Sequence, residues 1–278
     1  MKEIFDKISF DCSKKVTKKY STSFYLGVQM LDKKIRPHIH AIYGFVRFAD
    51  EIVDTFHGFD KEQLLTEFRN DTFRSIKNGI SLNPILNSFQ TTVNKYNIDL
   101  DLIDRFLISM EMDLRSIDYT SKEYEKYIFG SAEVVGLMCL KVFVYGDNNE
   151  YLKLKPYAQT LGSAFQKVNF LRDIHHDYHE LGRIYFPNMG EIALNCENKR
   201  LIETEIEKEF ETALNGIKML PKQARLGVYL SFKYYEKLLI KIQSKSSDKL
   251  LENRIRISNN YKLIILFKSY FQNLFNLI

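Results

Sequence analysis

The chain has 278 residues, enough to bury a sizeable core; 45% are hydrophobic and 14% aromatic, with 21 Phe, 17 Tyr and no Trp. Its net charge of +5 comes from Lys and Arg scattered along the chain, which speaks against a nucleic-acid surface and suits an anionic substrate or membrane surface. Three widely spaced cysteines, Cys12, Cys139 and Cys196, form no Cys-x-x-Cys pair and argue against a disulfide framework or structural zinc.

The opening MKEIFDKISFDCSKK contains no apolar run of signal-peptide length. No stretch of about 18 uninterrupted apolar residues follows, so no membrane span is expected and the cytoplasm is the expected compartment. The first helical periodicity runs from about Lys33 to Phe56 and stops before His57-Gly58. Helices are then predicted over about Lys61 to Lys77, Pro84 to Tyr96 and Leu100 to Leu114. Thr120-Ser-Lys-Glu123 reads as a capping box opening a helix that continues to a stop at Gly146. A further helix spans about Glu150 to Tyr178, followed by an irregular segment marked by Gly182 and Pro187. Two more cover about Glu197 to Leu220 and Lys222 to Ser244, and after a polar break at 244–247 the last runs from about Asn259 to the end. With 5 Pro, 12 Gly, no internal repeat and no linker, the expectation is one all-α domain, 1–278.

Two of these helices carry acidic rows. In YGFVRFADEIVD, measured from Tyr43 at 100° per residue, Arg47 lies at about 40°, Asp50 at about −20° and Asp54 at about 20°. Glu51 projects off this stripe. In QKVNFLRDIHHDYHELGRIYFP, measured from Gln166, Asn169 lies at about −60°, Asp173 at about −20° and Asp177 at about 20°. Each row taken alone is compatible with a solvated helix face. Aspartates one turn apart, about 6 Å, repel by roughly 2–3 kcal/mol in a half-buried setting, so a recessed row needs a cation or arginine to offset it. All-oxygen ligands with room for water suit Mg²⁺, which completes its shell with substrate phosphate. His175, His176 and His179 have zinc-compatible spacing, but His175 and His179 point roughly 160–200° away from the Asp173/Asp177 face, so a surface cluster at a helix end is expected.

The two motifs, in this order, resemble the squalene/phytoene synthase family, and within it the bacterial phytoene synthase branch. The likeness begins at KKYSTSFYLGVQML, continues through YIFGSAEVVGLMCLKVF and ends near RIRIS. It implies an all-α isoprenoid-synthase fold, a helical bundle around a central apolar cavity, and head-to-head condensation of two allylic prenyl diphosphates. By this resemblance Asp50, Asp54, Asn169, Asp173 and Asp177 hold Mg²⁺, with Mn²⁺ as a substitute. Arg47, Arg172 and Arg183 meet phosphate oxygens. Ser21, Ser23 and Phe24 match a flap over the diphosphates, and Tyr43, Tyr127, Gln166 and Tyr185 match cavity positions that steady cationic intermediates. The bland alternatives are that Tyr127 and Tyr185 simply pack and that the flap serines cap a helix. Two departures stand out: Asp50-Glu51 where the family often has paired aspartates, and Ala132-Glu133 where it often has Ala-Gly, the latter bearing on cavity shape.

Short length after the catalytic region favours the carotenoid-forming branch: two geranylgeranyl diphosphates giving phytoene through a cyclopropylcarbinyl diphosphate, without NADPH. Two farnesyl diphosphates giving dehydrosqualene or squalene is the second choice, and a non-catalytic assembly factor of the same fold the third. A terpene cyclase fits the second motif less well. The final helix, NNYKLIILFKSYFQNLFNLI, is read either as a buried packing helix, slightly favoured, or as an interfacial helix carrying peripheral association with the inner face of a membrane. Oligomeric state and substrate length stay open.

Overall fold

The computed structural model describes residues 1–115, 119–179, 183, 185–187, 195–252 and 254–275, the side chains of 178 and 179 excepted. Every regular element among them is helical. Two helices, α1 (Lys2–Tyr20) and α2 (Thr22–Gln29), precede the first one expected from periodicity. They escape a periodicity search because α1 buries Ser9, Ser13 and Thr17 rather than large apolar residues. Those hydroxyls turn inward onto backbone carbonyls and neighbours: Ser9 donates to the Phe5 carbonyl, Thr17 to that of Ser13, and Ser13 pairs with Ser88 at 2.7 Å.

Helix α3 (Arg36–Asp54) carries the first acidic row and is the most amphipathic of the early helices, burying Ile39, Ile42, Phe45, Ala49, Ile52 and Val53. Phe45 stacks on Phe89 with centroids 3.9 Å apart and also meets Phe68 and Phe106. These partners come from α4 (Lys61–Asn78), α5 (Pro84–Tyr96) and α6 (Leu100–Asp113). Burying such a ring stabilises by about 2–3 kcal/mol, and truncating Phe45 to Ala would cost about 3–5 kcal/mol. Three of these helices begin as their sequences dictate, with Asp60, Asn83 and Asp99 side chains accepting first-turn N–H bonds.

The predicted helix after Thr120 is three pieces. The capping box forms, Glu123 accepting from the Thr120 N–H at 2.9 Å and Thr120 from the Glu123 N–H at 3.3 Å. It opens α7 (Ser121–Ile128), which passes through a π-helical turn, Phe129–Glu133, into α8 (Val134–Phe143). Close packing accompanies the bulge: a Cβ on Gly162 would lie 2.8 Å from the Ala132 carbonyl and 2.9 Å from Glu133 Cα. Gly162 belongs to α9 (Asn148–His179), the 32-residue helix with the second acidic row. Glu133, the departure that left cavity shape open, accepts from Gln159 Nε2 at 3.0 Å and so lies along α9.

Helices α10 (Cys196–Met219) and α11 (Lys222–Gln243) close the second half, with Ile206, Phe210, Phe232 and Leu239 in one cluster with Val168 and Leu171 of α9. Val228 packs against this cluster and against the one around Phe45, joining the two cores. The expected polar break falls at 244–246, and a short helix that the periodicity did not mark, α12 (Ser247–Glu252), follows it before α13 (Asn259–Leu274).

Candidate active site

The two acidic rows sit on α3 and α9, and the electrostatics place them within reach of each other. Asp50 is pushed up to about 6, first by burial and then by Asp54, with Asp173 of the opposite row adding to the repulsion. Asp177 is pushed up to about 8 by burial, then by Asp173 and by Asp54 across the gap. A third of the Asp50 side chain still meets water (34%), so these carboxylates line a recess rather than the core. The rows do not face solvent on separate sides of the molecule.

Arginines stitch the recess together. Arg183 Nη1 donates to Asp54 Oδ1 at 2.7 Å, and Nη2 donates to the Asp113 carbonyl at 2.9 Å. The planar fork thus ties the segment after α9 to the ends of α3 and α6. Arg47 Nη1 donates to Asp50 Oδ2 at 2.5 Å, pairs with Glu51, and lies over the Tyr20 ring with its carbon 4.4 Å from the centroid. Glu51, expected off the stripe, is therefore held by the same arginine as Asp50, because one guanidinium spans both the i+3 and i+4 positions. Arg172 Nε donates to its neighbour Asp173 at 2.9 Å.

Beside the carboxylates lies an aromatic wall. Phe170 stacks on Tyr185 with centroids 4.3 Å apart, Tyr127 lies 5.0 Å from Tyr185, and Tyr119 5.5 Å from it. Tyr127 and Tyr185 are buried, but they do more than pack: their hydroxyls donate to the two oxygens of Asp113, at 2.8 and 3.2 Å. Asp113 is itself buried, which pushes its carboxyl up to about 7 while Arg183 and Tyr127 pull it down.

At the other end, Phe24 of α2 stacks on Tyr43 of α3, centroids 4.9 Å apart, and Ser21 lies near the Tyr43 hydroxyl. Ser21 also caps α2, accepting from the Phe24 N–H at 3.3 Å, and Ser23 lies in that helix's first turn. Burial raises the Tyr43 hydroxyl to about 12, so it stays protonated. Gln166 is half-buried on α9, about one turn before Asn169 and two before Asp173. Asn169 accepts from Tyr235 of α11 at 3.1 Å.

Five residues of this site were not expected from the sequence: Asp113, Tyr119, Phe170, Tyr235 and Arg254. Asp113, Tyr119 and Tyr235 continue no acidic row at helical spacing, so no spacing marks them. Arg254 binds Asp173 Oδ1 through Nε at 2.6 Å, and only its place in RIRIS could have drawn attention to it. Two members of the histidine cluster expected at the surface have described side chains. His176 is exposed, but His175 is half-buried with Nδ1 2.5 Å from the Leu251 carbonyl on α12; the side chain of His179 and the residue Gly182 lie outside the described residues. A separate open cleft, lined by Arg105, Lys141, Tyr151 and Lys155 among others, contains none of the predicted site residues.

The donor set fits a hard divalent cation. Asp50, Asp54, Asp173, Asp177 and Asn169 offer only oxygens that such an ion would use, and the charged forms of Asp50 and Asp177 are disfavoured by burial and then by neighbouring carboxylates, Asp54 and Asp173 among them, a repulsion that a cation would relieve. Among the described residues no three His, Cys, Asp or Glu side chains converge as a ready-made metal cage. Magnesium needs none, because it takes one or two carboxylates and fills its shell with water and phosphate.

An all-helical bundle holding opposed Asp rows, arginines and a tyrosine wall has the architecture of an isoprenoid synthase. The family model for squalene/phytoene synthases matches residues 17–261, and the chain belongs to that family. It is 26% identical over 266 residues to the phytoene synthase of Arthrospira platensis, covering 86% of this chain and 85% of that one. To the 15-cis-phytoene synthase of Synechocystis sp. it is 27% identical over 282 residues, covering 93% and 83%. In fold it is similar to a dehydrosqualene synthase crystallised with a ligand, with TM-score 0.81 and 20% identity over 95% of this chain and 96% of that one. A squalene synthase from Alicyclobacillus acidocaldarius gives TM-score 0.74 and 20% identity over 86% and 95%.

Proposed function

We propose that the protein is a phytoene synthase that joins two geranylgeranyl diphosphates head to head. The observation that carries this reading is the recess in which Asp50 and Asp173, and Asp54 and Asp177, feel each other's charge beside the tyrosine wall. The named relatives support the C40 product.

Asp50, Asp54, Asn169, Asp173 and Asp177 would hold Mg²⁺, or Mn²⁺ in its place. When bound, the metal supplies Lewis-acid stabilisation of charge on the departing diphosphate. Arg47, Arg172 and Arg183 are set to bind phosphate oxygens, the guanidinium fork matching their geometry. Phe24 and Tyr43 cover one end and exclude water, which would quench an allylic cation as an alcohol. Any of the Tyr127, Tyr185 and Phe170 rings that a carbocation meets face-on would stabilise it by about 0.5–2 kcal/mol.

In the first half-reaction a C–O bond breaks, diphosphate leaves, the second substrate's double bond attacks, and a proton is lost as the cyclopropane closes. In the second half-reaction the cyclopropylcarbinyl C–O bond breaks, the skeleton rearranges and a second proton leaves. Two diphosphates and two protons are released, so the route to phytoene balances without NADPH. Farnesyl diphosphate as the substrate is the second reading, favoured by the fold similarity to a dehydrosqualene synthase.

Incubation with labelled geranylgeranyl and farnesyl diphosphates, with and without Mg²⁺ and NADPH, tests the proposal. A C40 product formed without reductant supports it, a C30 product transfers the assignment to the shorter substrate, and no turnover leaves a non-catalytic assembly factor. Asp50→Asn and Asp173→Asn are each expected to abolish most turnover while leaving the helical circular dichroism unchanged. Near-normal rates in either would overturn the site assignment.

A further inference from the structure

Helix α13 is mounted the wrong way round for a helix in water. Its inward stripe is largely polar: Ser269 is 1% exposed, Gln272 accepts from the Tyr229 hydroxyl at 3.2 Å, and Lys262 donates to Thr22 at 2.8 Å. Only Ile265 and Leu266 give it an apolar footing, against Leu26, Met30, Leu230 and Tyr234. The outward stripe is the greasy one. Taking Leu263 as zero, Tyr270, Leu274 and Phe267 fall between about −20° and 40°, and Phe271, Ile264 and Phe275 between about 80° and 120°. Every one of these side chains is substantially exposed, from Tyr270 at 48% to Phe275 at 67%. The band runs for about 18 Å along the helix. A soluble helix buries such a stripe, and a patch of this size marks an interaction surface.

Charge identifies the occupant. From Arg254 to Phe275 the chain carries Arg254, Arg256, Lys262 and Lys268 and no Asp or Glu. Lys268 falls at about 140°, on the border of the apolar band, whereas Lys262, at about −100°, belongs to the inward stripe and is held by Thr22. An aromatic and aliphatic band with a lysine at its rim, on a segment whose only charged side chains are basic, is the pattern of a helix lying in the headgroup plane of an anionic bilayer. A second copy of the chain fits less well, since a two-fold contact would bring these cations together with no carboxylate on the segment to answer them. Crossing the bilayer is not the mode: at 16 residues α13 is shorter than the roughly 20 required, and among the described residues no helix is long and apolar enough to span.

We propose that the outward face of α13 docks the protein on anionic membrane. Lys262 ties this helix to Thr22 at the first turn of α2, whose Ser21 and Phe24 meet Tyr43 at the mouth of the acidic recess. Docking there sets that mouth beside the bilayer. The benefit, a hydrocarbon product released into lipid, rests on the proposed function, whereas the docking itself does not.

Absence of Trp makes the test direct. In full-length protein, Phe271→Trp places one fluorophore in the band, and Leu201→Trp, on the exposed face of α10, serves as the control. Vesicles of phosphatidylcholine alone and of phosphatidylcholine with 30% phosphatidylglycerol are added without substrate. We expect a blue shift of the emission from the Phe271→Trp protein and none from the Leu201→Trp control, with partitioning onto the anionic vesicles at least tenfold above the neutral ones and reduced several-fold by 0.5 M NaCl. The double variant Phe267→Glu/Phe271→Glu should lose that tenfold while keeping its thermal unfolding midpoint. No shift and no co-sedimentation with anionic vesicles would overturn the proposal. So would self-association in sedimentation velocity that this double variant abolishes while vesicles fail to bind. Because no substrate is present, this result and the turnover result fail independently.

Discussion

Arg183 offers the sharpest test of how the recess is held. Its side chain is 10% exposed and uses two nitrogens on two different elements, Asp54 of α3 and the carbonyl of Asp113 at the end of α6. Lysine at this position keeps the charge but has one nitrogen, so Arg183→Lys satisfies one acceptor and strands the other. A hydrogen bond from a charged donor contributes about 1.5–3 kcal/mol, and the Asp54 end is discounted because that carboxylate is partly exposed. The expected loss is therefore about 2–3 kcal/mol, lowering the unfolding midpoint by about 5–10 °C for a chain of this size. Arg183→Met also removes the positive charge facing Asp54 and Asp113, and is expected to cost about 3–5 kcal/mol, as breaking a buried pair does. Differential scanning calorimetry of the ligand-free protein reads the clamp. Turnover of labelled prenyl diphosphate reads phosphate binding, where kcat/KM of the lysine variant should fall about 10- to 100-fold. A lysine variant with unchanged midpoint, or a methionine variant no worse than lysine, would refute the bridging argument.

Replacing Asp113 by Asn leaves one oxygen to accept from two tyrosines; we expect a loss of about 1–3 kcal/mol in urea unfolding, larger than for Tyr185→Phe, and equal stability of the two variants would count against a shared acceptor. Gly162→Ala should cost about 1–3 kcal/mol by chemical denaturation, because the new methyl meets backbone atoms of the π turn that cannot swing aside; an unchanged midpoint would show that α9 can move. His38 and His40 are both held down to about 4, mainly by burial. Thr92 spends its proton on the Ser88 carbonyl and Lys95 donates to Nε2, so His38 is the neutral Nδ1–H form. Between pH 6.5 and 4 the unfolded chain binds protons that these folded imidazoles refuse, so stability is lost as pH falls through that window, by about 3 kcal/mol per histidine. Carboxyls with raised values, such as Asp177, act in the opposite direction, so the comparison is with His40→Leu, whose pH slope should be shallower by one proton; identical slopes would exclude His40.

Much of the site was legible because its first layer is local. At 100° per residue, Tyr43, Arg47, Asp50 and Asp54 must share one side of α3, and Asn169, Asp173 and Asp177 one side of α9, whatever else the chain does. Caps behaved the same way, with Thr120 and Glu123 closing on each other as their spacing requires. The early helices were not legible, since α1 seats itself through hydroxyl groups that carry no hydrophobic period.

Sequence by itself therefore determined which side chains travel together on a helix and that the fold is helical. Tertiary structure alone decided that Asp113 from α6 underpins two tyrosines, that Tyr235 and Arg254 reach the second row, and which side of α13 is covered. The reason is physical: periodicity is set by covalent geometry along one segment, whereas burial depends on what surface another segment presents. For α13 the apolar sequence suits a buried packing helix, but Tyr229 of α11 and Thr22 of α2 bond its Gln272 and Lys262, and most of its Phe and Leu face outward.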